Sequence, residues 1–200
     1  MKKMALLLLL TLALPMAAFA TNSVDFTNSG GTLSGSSAGL TLSGSTLIAM
    51  GSNGGMPVTG DLGTLAFSTA ALTNGNLQQG ATFDAGGSFS IVGNGTNGVP
   101  NTTIFTGAFS GPVTWTLVTL ANGTHTYTLS GALSGTWYTG VKVFGATIQI
   151  TINTGKGFFS GSTTISSGDT NMVVPEPGSL TLLGTGLVGL AGVVRRKLKA

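Results

Sequence analysis

The segment Thr147-Ile148-Gln149-Ile150-Thr151-Ile152 alternates strictly between polar and apolar residues. A period of two puts every isoleucine on one face of an extended chain and every Thr or Gln on the other. A helix would scatter them around its axis. Shorter stretches repeat the alternation: Ser88-Phe89-Ser90-Ile91-Val92, Thr114-Trp115-Thr116-Leu117 and Thr126-Tyr127-Thr128-Leu129. Turn residues separate such runs at Asn53-Gly54-Gly55, Asn74-Gly75-Asn76, Asp84-Ala85-Gly86-Gly87, Asn94-Gly95, Asn122-Gly123 and Thr154-Gly155. Asn and Gly both tolerate the positive φ that tight hairpins need. Asn122-Gly123, between residues 115–120 and 124–129, carries the strongest hairpin signal. No segment of the body keeps a 3.6-residue period free of glycine. The expectation is an all-β body of about eight to ten half-buried antiparallel strands; a sandwich, jelly roll or barrel would suit such a pattern, and a β-sandwich or jelly roll is the expected arrangement.

Composition narrows the functions such a body can have. The chain has no cysteine, so disulfides and thiolate metal sites are excluded. The whole-chain charge of +3 is misleading, because Lys2, Lys3, Arg195, Arg196, Lys197 and Lys199 sit at the two ends. Residues 21–174 hold four Asp (Asp25, Asp61, Asp84, Asp169) against Lys142 and Lys156. No basic patch exists there to follow a nucleic-acid backbone, so nucleic acid is not an expected partner. The body is long enough to bury one ordinary core.

Two literal motif matches are chance products of a Gly- and Ser-rich chain. Gly35-Ser36-Ser37-Ala38-Gly39 has the GxSxG pattern, but no strand-to-helix elbow surrounds it. Gly93-Asn94-Gly95-Thr96-Asn97-Gly98 has the GxGxxG pattern, but Val99-Pro100 follows where a dinucleotide fold needs a helix. His125 is the single histidine and is expected at a surface or strand edge. A metal site would need more imidazoles or clustered carboxylates, so neither metal nor cofactor is expected. The body is expected to be no enzyme. Trp115, Trp137, Tyr138, Tyr127, Phe158 and Phe159 are the aromatics that would line a sugar-binding face, but a core with one aromatic left exposed is the expected arrangement. Adjacent Phe158 and Phe159 point opposite ways in a strand, which leaves one of them outside. The run from Phe105 to Gly111 echoes that from Leu129 to Gly135, matching Gly107 to Gly131, with bulges expected at the glycines.

The two ends have their own physics. Residues 1–20 read MKKMALLLLLTLALPMAAFA. A basic start, a short apolar run, a helix-breaking Pro15 and the small residues Ala18 and Ala20 form a secretory signal peptide. Its cut is expected after Ala20, leaving Thr21 first. At the other end, Val174-Pro175-Glu176-Pro177 leads into an uncharged apolar run that stops at Arg195-Arg196-Lys197. The run, about 178–194, is expected to be a transmembrane helix, weakened by Gly184, Gly186, Gly189 and Gly192. The basic tail at 195–199 is expected on the cytoplasmic side.

This tripartite tail resembles the PEP-CTERM sorting signal of exported proteins in Gram-negative bacteria that make extracellular polysaccharide. The resemblance implies recognition by exosortase, a membrane-embedded cysteine transpeptidase or protease, at Val174, Pro175, Glu176 and Pro177. Two prolines around Glu176 favour an extended peptide that a protease cleft can bind at little ordering cost. The chain thus divides into a signal peptide (1–20), a Gly/Ser/Thr-rich extracellular domain (21–173) and a sorting signal (174–200). Expected partners are the Sec machinery, signal peptidase, exosortase, the membrane and polysaccharide. The expected route is an inner-membrane precursor, then the outer envelope or extracellular matrix, with a structural role beside exopolysaccharide. A surface-displayed carbohydrate-binding module is the alternative.

Overall fold

The structure, a computed structural model, describes residues 21–53 and 55–175. One compact unit spans Ser23–Val174. Thirteen strands account for it: β1 (Thr21–Ser29), β2 (Thr32–Ser36), β3 (Gly39–Ser52), β4 (Val58–Ser68), β5 (Leu72–Asn76), β6 (Gly80–Phe83), β7 (Gly86–Gly93), β8 (Thr103–Phe109), β9 (Val113–Thr119), β10 (His125–Trp137), β11 (Lys142–Gly155), β12 (Ser162–Thr164) and β13 (Ser167–Pro175). The helical content of the described residues is one 3₁₀ turn at Thr96–Gly98.

The all-β expectation holds, but the sandwich does not. Eight strands follow one another as β11-β13-β1-β3-β4-β7-β8-β10, and β10 pairs with β11 to close the ring. The body is therefore a closed antiparallel barrel rather than two stacked sheets or a jelly roll. The flanking signal helix (1–20) and transmembrane helix (about 178–194) lie outside the described residues. Among the described residues no helix is long and apolar enough to cross a membrane.

Closure has identifiable causes. Long strands must coil, and bulges supply the bend. Register shifts interrupt β1 at Thr27/Asn28, β3 at Leu42/Ser45 and Leu47/Ala49, and β10 at Leu133/Ser134. Gly145, at φ +70°, is the extra residue where Ala146 pairs with Leu133 and Phe144 with Ser134. Glycines also let backbones approach. Gly107 faces Gly135 across β8 and β10, and a Cβ on Gly135 would fall on the Thr106 carbonyl oxygen. The echo in the sequence thus marks two neighbouring strands, but the facing pair is Gly107–Gly135 and the bulge is at Leu133/Ser134, not at Gly131.

Two strands are long enough to serve two neighbours along one edge. β10 pairs with β9 through His125–Ser130 and with β8 through Leu133–Trp137. β3 pairs with β2 through Gly39–Ser43 and with β1 through Thr46–Ser52. The extra partners fold out as two flaps, β9-β6-β5 and β2-β12. A satellite of the core lies beneath them. Trp115 stacks on Tyr127 with ring centres 5.0 Å apart, and Phe159 meets Trp115 edge-on at 5.5 Å. The Trp115 indole N–H donates to the Leu77 carbonyl at 2.9 Å, and the Tyr127 hydroxyl donates to the Gln78 carbonyl at 2.8 Å. The Phe159 backbone N–H donates to the Tyr127 oxygen at 3.1 Å. One hydroxyl thus pins both the β5–β6 turn and the segment after β11. The barrel proper is filled by Phe67, Phe89, Phe105 and Phe109 in mutual edge and stacked contact, together with Phe26 on Trp137. An eight-stranded barrel has an interior just wide enough to be filled this way.

The Asn122-Gly123 hairpin forms where its residues predict. Thr119 pairs with His125, Gly123 sits at φ +79°, and the Asn122 side-chain oxygen accepts from the Thr124 N–H at 3.0 Å.

Tyr127→Phe leaves a buried N–H without its partner and frees the more exposed Gln78 carbonyl. It should cost about 1–3 kcal/mol, read as a lower urea midpoint with an unchanged slope. Gly135→Ala forces apart β8 and β10 and should cost about 1–3 kcal/mol in the same measurement. Gly111→Ala, where a Cβ meets nothing, should leave the midpoint nearly unchanged.

Candidate functional site

The pairings fix the direction of every barrel strand. Each neighbour pair from β1 through β3, β4, β7, β8, β10 and β11 to β13 is antiparallel. An even number of strands then makes the closing β13–β1 pair antiparallel as well. Thr27 on β1 donates to the Asp169 carboxylate on β13 at 3.4 Å, in keeping with that neighbourhood. β3, β7, β10 and β13 therefore end at one rim, and β1, β4, β8 and β11 begin there. Ser23 and Val174, the two ends of the compact unit, emerge side by side at this exit rim.

The sorting residues are divided by this boundary. Val174 is 6 % exposed and contributes to the core, and Pro175 ends β13. Proline lacks an N–H and suits the end of a strand. Thr21 begins β1. Ala18, Ala20, Glu176, Pro177, Arg195, Arg196 and Lys197 lie outside the described residues. The expected sorting motif thus starts inside a barrel strand, with no linker between core and motif.

The outer wall is polar. Outward positions on four neighbouring strands are Thr114 on β9, Ser130 on β10, Thr147 and Gln149 on β11, and Asp169 and Asn171 on β13, and they line a shallow groove of about 410 Å³. Gln149 faces Asp169 and Thr147 faces Asn171 across the β11–β13 pair. This groove was missed in the sequence. Its signal was the polar half of the Thr147–Ile152 alternation, which reads as solvent face until the neighbouring strands are known. An apolar inside and hydroxyl-rich outside are the reverse of a barrel that spans a membrane.

Other sequence candidates resolve differently. Ser37 of the GxSxG match lies in the β2–β3 turn, where Ser36 pairs with Gly39. The GxGxxG match runs from the end of β7 through the 3₁₀ turn, with Val99 extended after it. His125 is not at the surface. It is 9 % exposed, stacks on Phe158 with ring centres 4.4 Å apart, and shares a 3.0 Å hydrogen bond between Nδ1 and the Thr119 hydroxyl. Phe158 is half-exposed and Phe159 buried, but both lie in the segment after β11 rather than in a strand, so the split is set by packing and not by strand alternation. Trp115, Tyr127, Phe159 and Trp137 are core residues. Asp61 is occupied with the Gly63 N–H and the Asn94 amide. Among the described residues, no three His, Asp or Glu side chains gather as a metal site would need.

Burial raises the Asp169 carboxyl above its ordinary value of 3.8; repulsion from Asp25 adds to this, and the Thr27 hydrogen bond opposes it. The folded protein then holds this proton more tightly than the unfolded chain does. Stability is greatest below the ordinary carboxylate range and falls as pH rises through it toward the raised folded value. Asp169→Asn should therefore raise the urea midpoint at pH 7, and the gain should shrink toward pH 3.

Residues 173–197 match the family model of the PEP-CTERM protein-sorting motif, and no other family is assigned to the body. No curated protein and no solved structure matches the chain. The tail therefore carries the PEP-CTERM sorting motif, the mark of an exported, exosortase-sorted protein of the Gram-negative envelope.

Proposed function

We propose that this chain is a structural protein of the outer envelope or extracellular matrix, associated with exopolysaccharide and without catalytic activity of its own. Export runs through the Sec machinery. Signal peptidase cuts after Ala20, which frees Thr21 at the start of β1. The precursor is then held at the inner membrane by the apolar run after Pro177. Exosortase reads Val174-Pro175-Glu176-Pro177 and releases or transfers the barrel.

The motif match at 173–197, on a barrel whose outer wall is rich in hydroxyls and amides, carries this reading. Neutral hydroxyl surfaces exchange hydrogen bonds with a hydrated polysaccharide and water alike, without a charge penalty. The alternative, a dedicated carbohydrate-binding module, loses Trp115, Tyr127, Phe159 and Trp137 to the core and would have to rest on Tyr138, Phe144 and Phe158, which lie at different ends of the barrel. Flat aromatic rings must be exposed to cover the apolar face of a sugar.

Replacing Pro175, Glu176 and Pro177 together by Ala should leave a full-length precursor in the membrane fraction. Unchanged gel mobility and unchanged location would overturn the sorting reading. On a glycan array the mature protein should give weak signals spread across many sugars; one strong, selective signal would favour the binding-module alternative.

A further inference from the structure

The exit rim carries an unusual share of the exposed apolar side chains. Met56 is 96 % exposed, Phe144 74 % and Tyr138 51 %, the three highest values among the large hydrophobics of the described residues. Met56 lies in the β3–β4 loop and Val58 begins β4. Tyr138 follows β10, with its N–H held by the Ile104 carbonyl at 2.8 Å, and Phe144 stands near the start of β11. Val173, also exposed, is the third residue from the end of β13. All five belong to strand ends or loops of this one rim. The opposite end, where the two flaps lie, also exposes Val118, Leu120 and Phe158, but each less than Met56, Phe144 or Tyr138, and Phe158 has one face covered by His125.

Exposed aromatics and methionine gathered at one end mark a surface that meets something apolar. The chain itself names the partner. Only Pro175, Glu176, Pro177 and Gly178 separate Val174 from the uncharged run that starts at Ser179. Five extended steps span about 17 Å at most. Whatever holds that run holds the exit rim beside it.

We propose that the exit rim is a membrane-facing surface, with Met56, Val58, Tyr138, Phe144 and Val173 seated at the headgroup boundary of the bilayer that holds the precursor. This rests on the membrane-held precursor proposed above. Tyrosine suits that boundary, because its ring enters the apolar edge while its hydroxyl stays wet. Lys142 stands in the same hairpin as Tyr138, its ammonium bonded to the Thr136 hydroxyl at 2.7 Å, and supplies a positive charge toward anionic headgroups. Seating the rim presents the Val174–Pro177 peptide at the bilayer surface, where a membrane-embedded enzyme works. Release of the tail removes the tether, and five side chains hold a barrel on lipid only weakly and reversibly.

The absence of cysteine makes the test clean, since each introduced thiol is unique. Full-length single variants Met56→Cys, Tyr138→Cys, Phe144→Cys, Asn122→Cys and Leu187→Cys are labelled with a small environment-sensitive fluorophore. Each is reconstituted into phosphatidylethanolamine–phosphatidylglycerol vesicles with plain or brominated acyl chains. The expected result is loss of emission in brominated vesicles at 187, and also at 56, 138 and 144, with none at 122 on the far hairpin. Quenching at 187 but not at the rim would mean a tether without docking and would overturn the rim proposal alone. No quenching at 187 would sink the membrane-held precursor and the rim with it. Equal quenching at 122 and 144 would show that the rim is not the seated face. Self-quenching at 144 that persists in detergent would assign the face to a second copy of the chain and likewise overturn it.

Discussion

The pairing of β10 with β11 is the contact on which the rest of the molecule depends. It runs from His125–Gly155 to Thr136–Lys142, almost the full length of both strands. It converts an open ladder into a ring and leaves no free barrel edge. Once the ring is closed, inward residues from eight strands meet on one axis and exclude water together. The same length lets β10 hold β8 at one end and β9 at the other, so one strand joins the barrel to its flap. Tyr127, on β10, then ties that flap down through a single hydroxyl with two backbone partners.

Inside and outside differ sharply in chemistry. Phe, Leu, Ile and Val fill the interior, and Thr, Ser, Asn and Gln cover most of the wall. Charge is nearly absent from both, so stability owes little to ion pairs and much to burial and ladder hydrogen bonds. Asp169 is the exception, a carboxylate near a second carboxylate with only a Thr hydroxyl in compensation. An acidic pair on a sparsely charged wall costs stability at neutral pH, and nothing in the described structure requires it.

The position of the chain ends links fold to export. Antiparallel closure with an even strand number returns β13 to the rim where β1 began. Ser23 and Val174, the first and last residues of the compact unit, therefore adjoin the same end of the barrel. Val174 belongs at once to the core and to the matched sorting motif, so the folded body runs into the motif without a linker.

Several features were legible in the chain before any coordinates. Thr147–Ile152, Ser88–Val92 and Thr126–Leu129 are strands because a period of two allows no other way to separate Ile, Phe and Tyr from Thr and Ser. Asn122-Gly123 is a hairpin because its residues accept positive φ. The tail is a sorting motif because its order of Pro-Glu-Pro, apolar run and basic stop is written in consecutive residues. Local sequence determined these because each depends only on neighbours along the chain. Closure into a barrel brings together strands more than a hundred residues apart, as Thr27 and Asp169 are, and the flaps, the burial of His125 and the Gln149–Asp169 groove likewise depend on which strands meet rather than on neighbours along the chain. Alternation states which face of a strand is apolar and is silent on which strand lies beside it. A sandwich and a barrel use the same alternation; only the bulges at Gly145 and Leu42/Ser45, and the shared edges of β3 and β10, decide between them. Sequence alone determined the kind of strand and the address on the tail. Tertiary structure decided the ring, and with it the single rim from which both ends emerge.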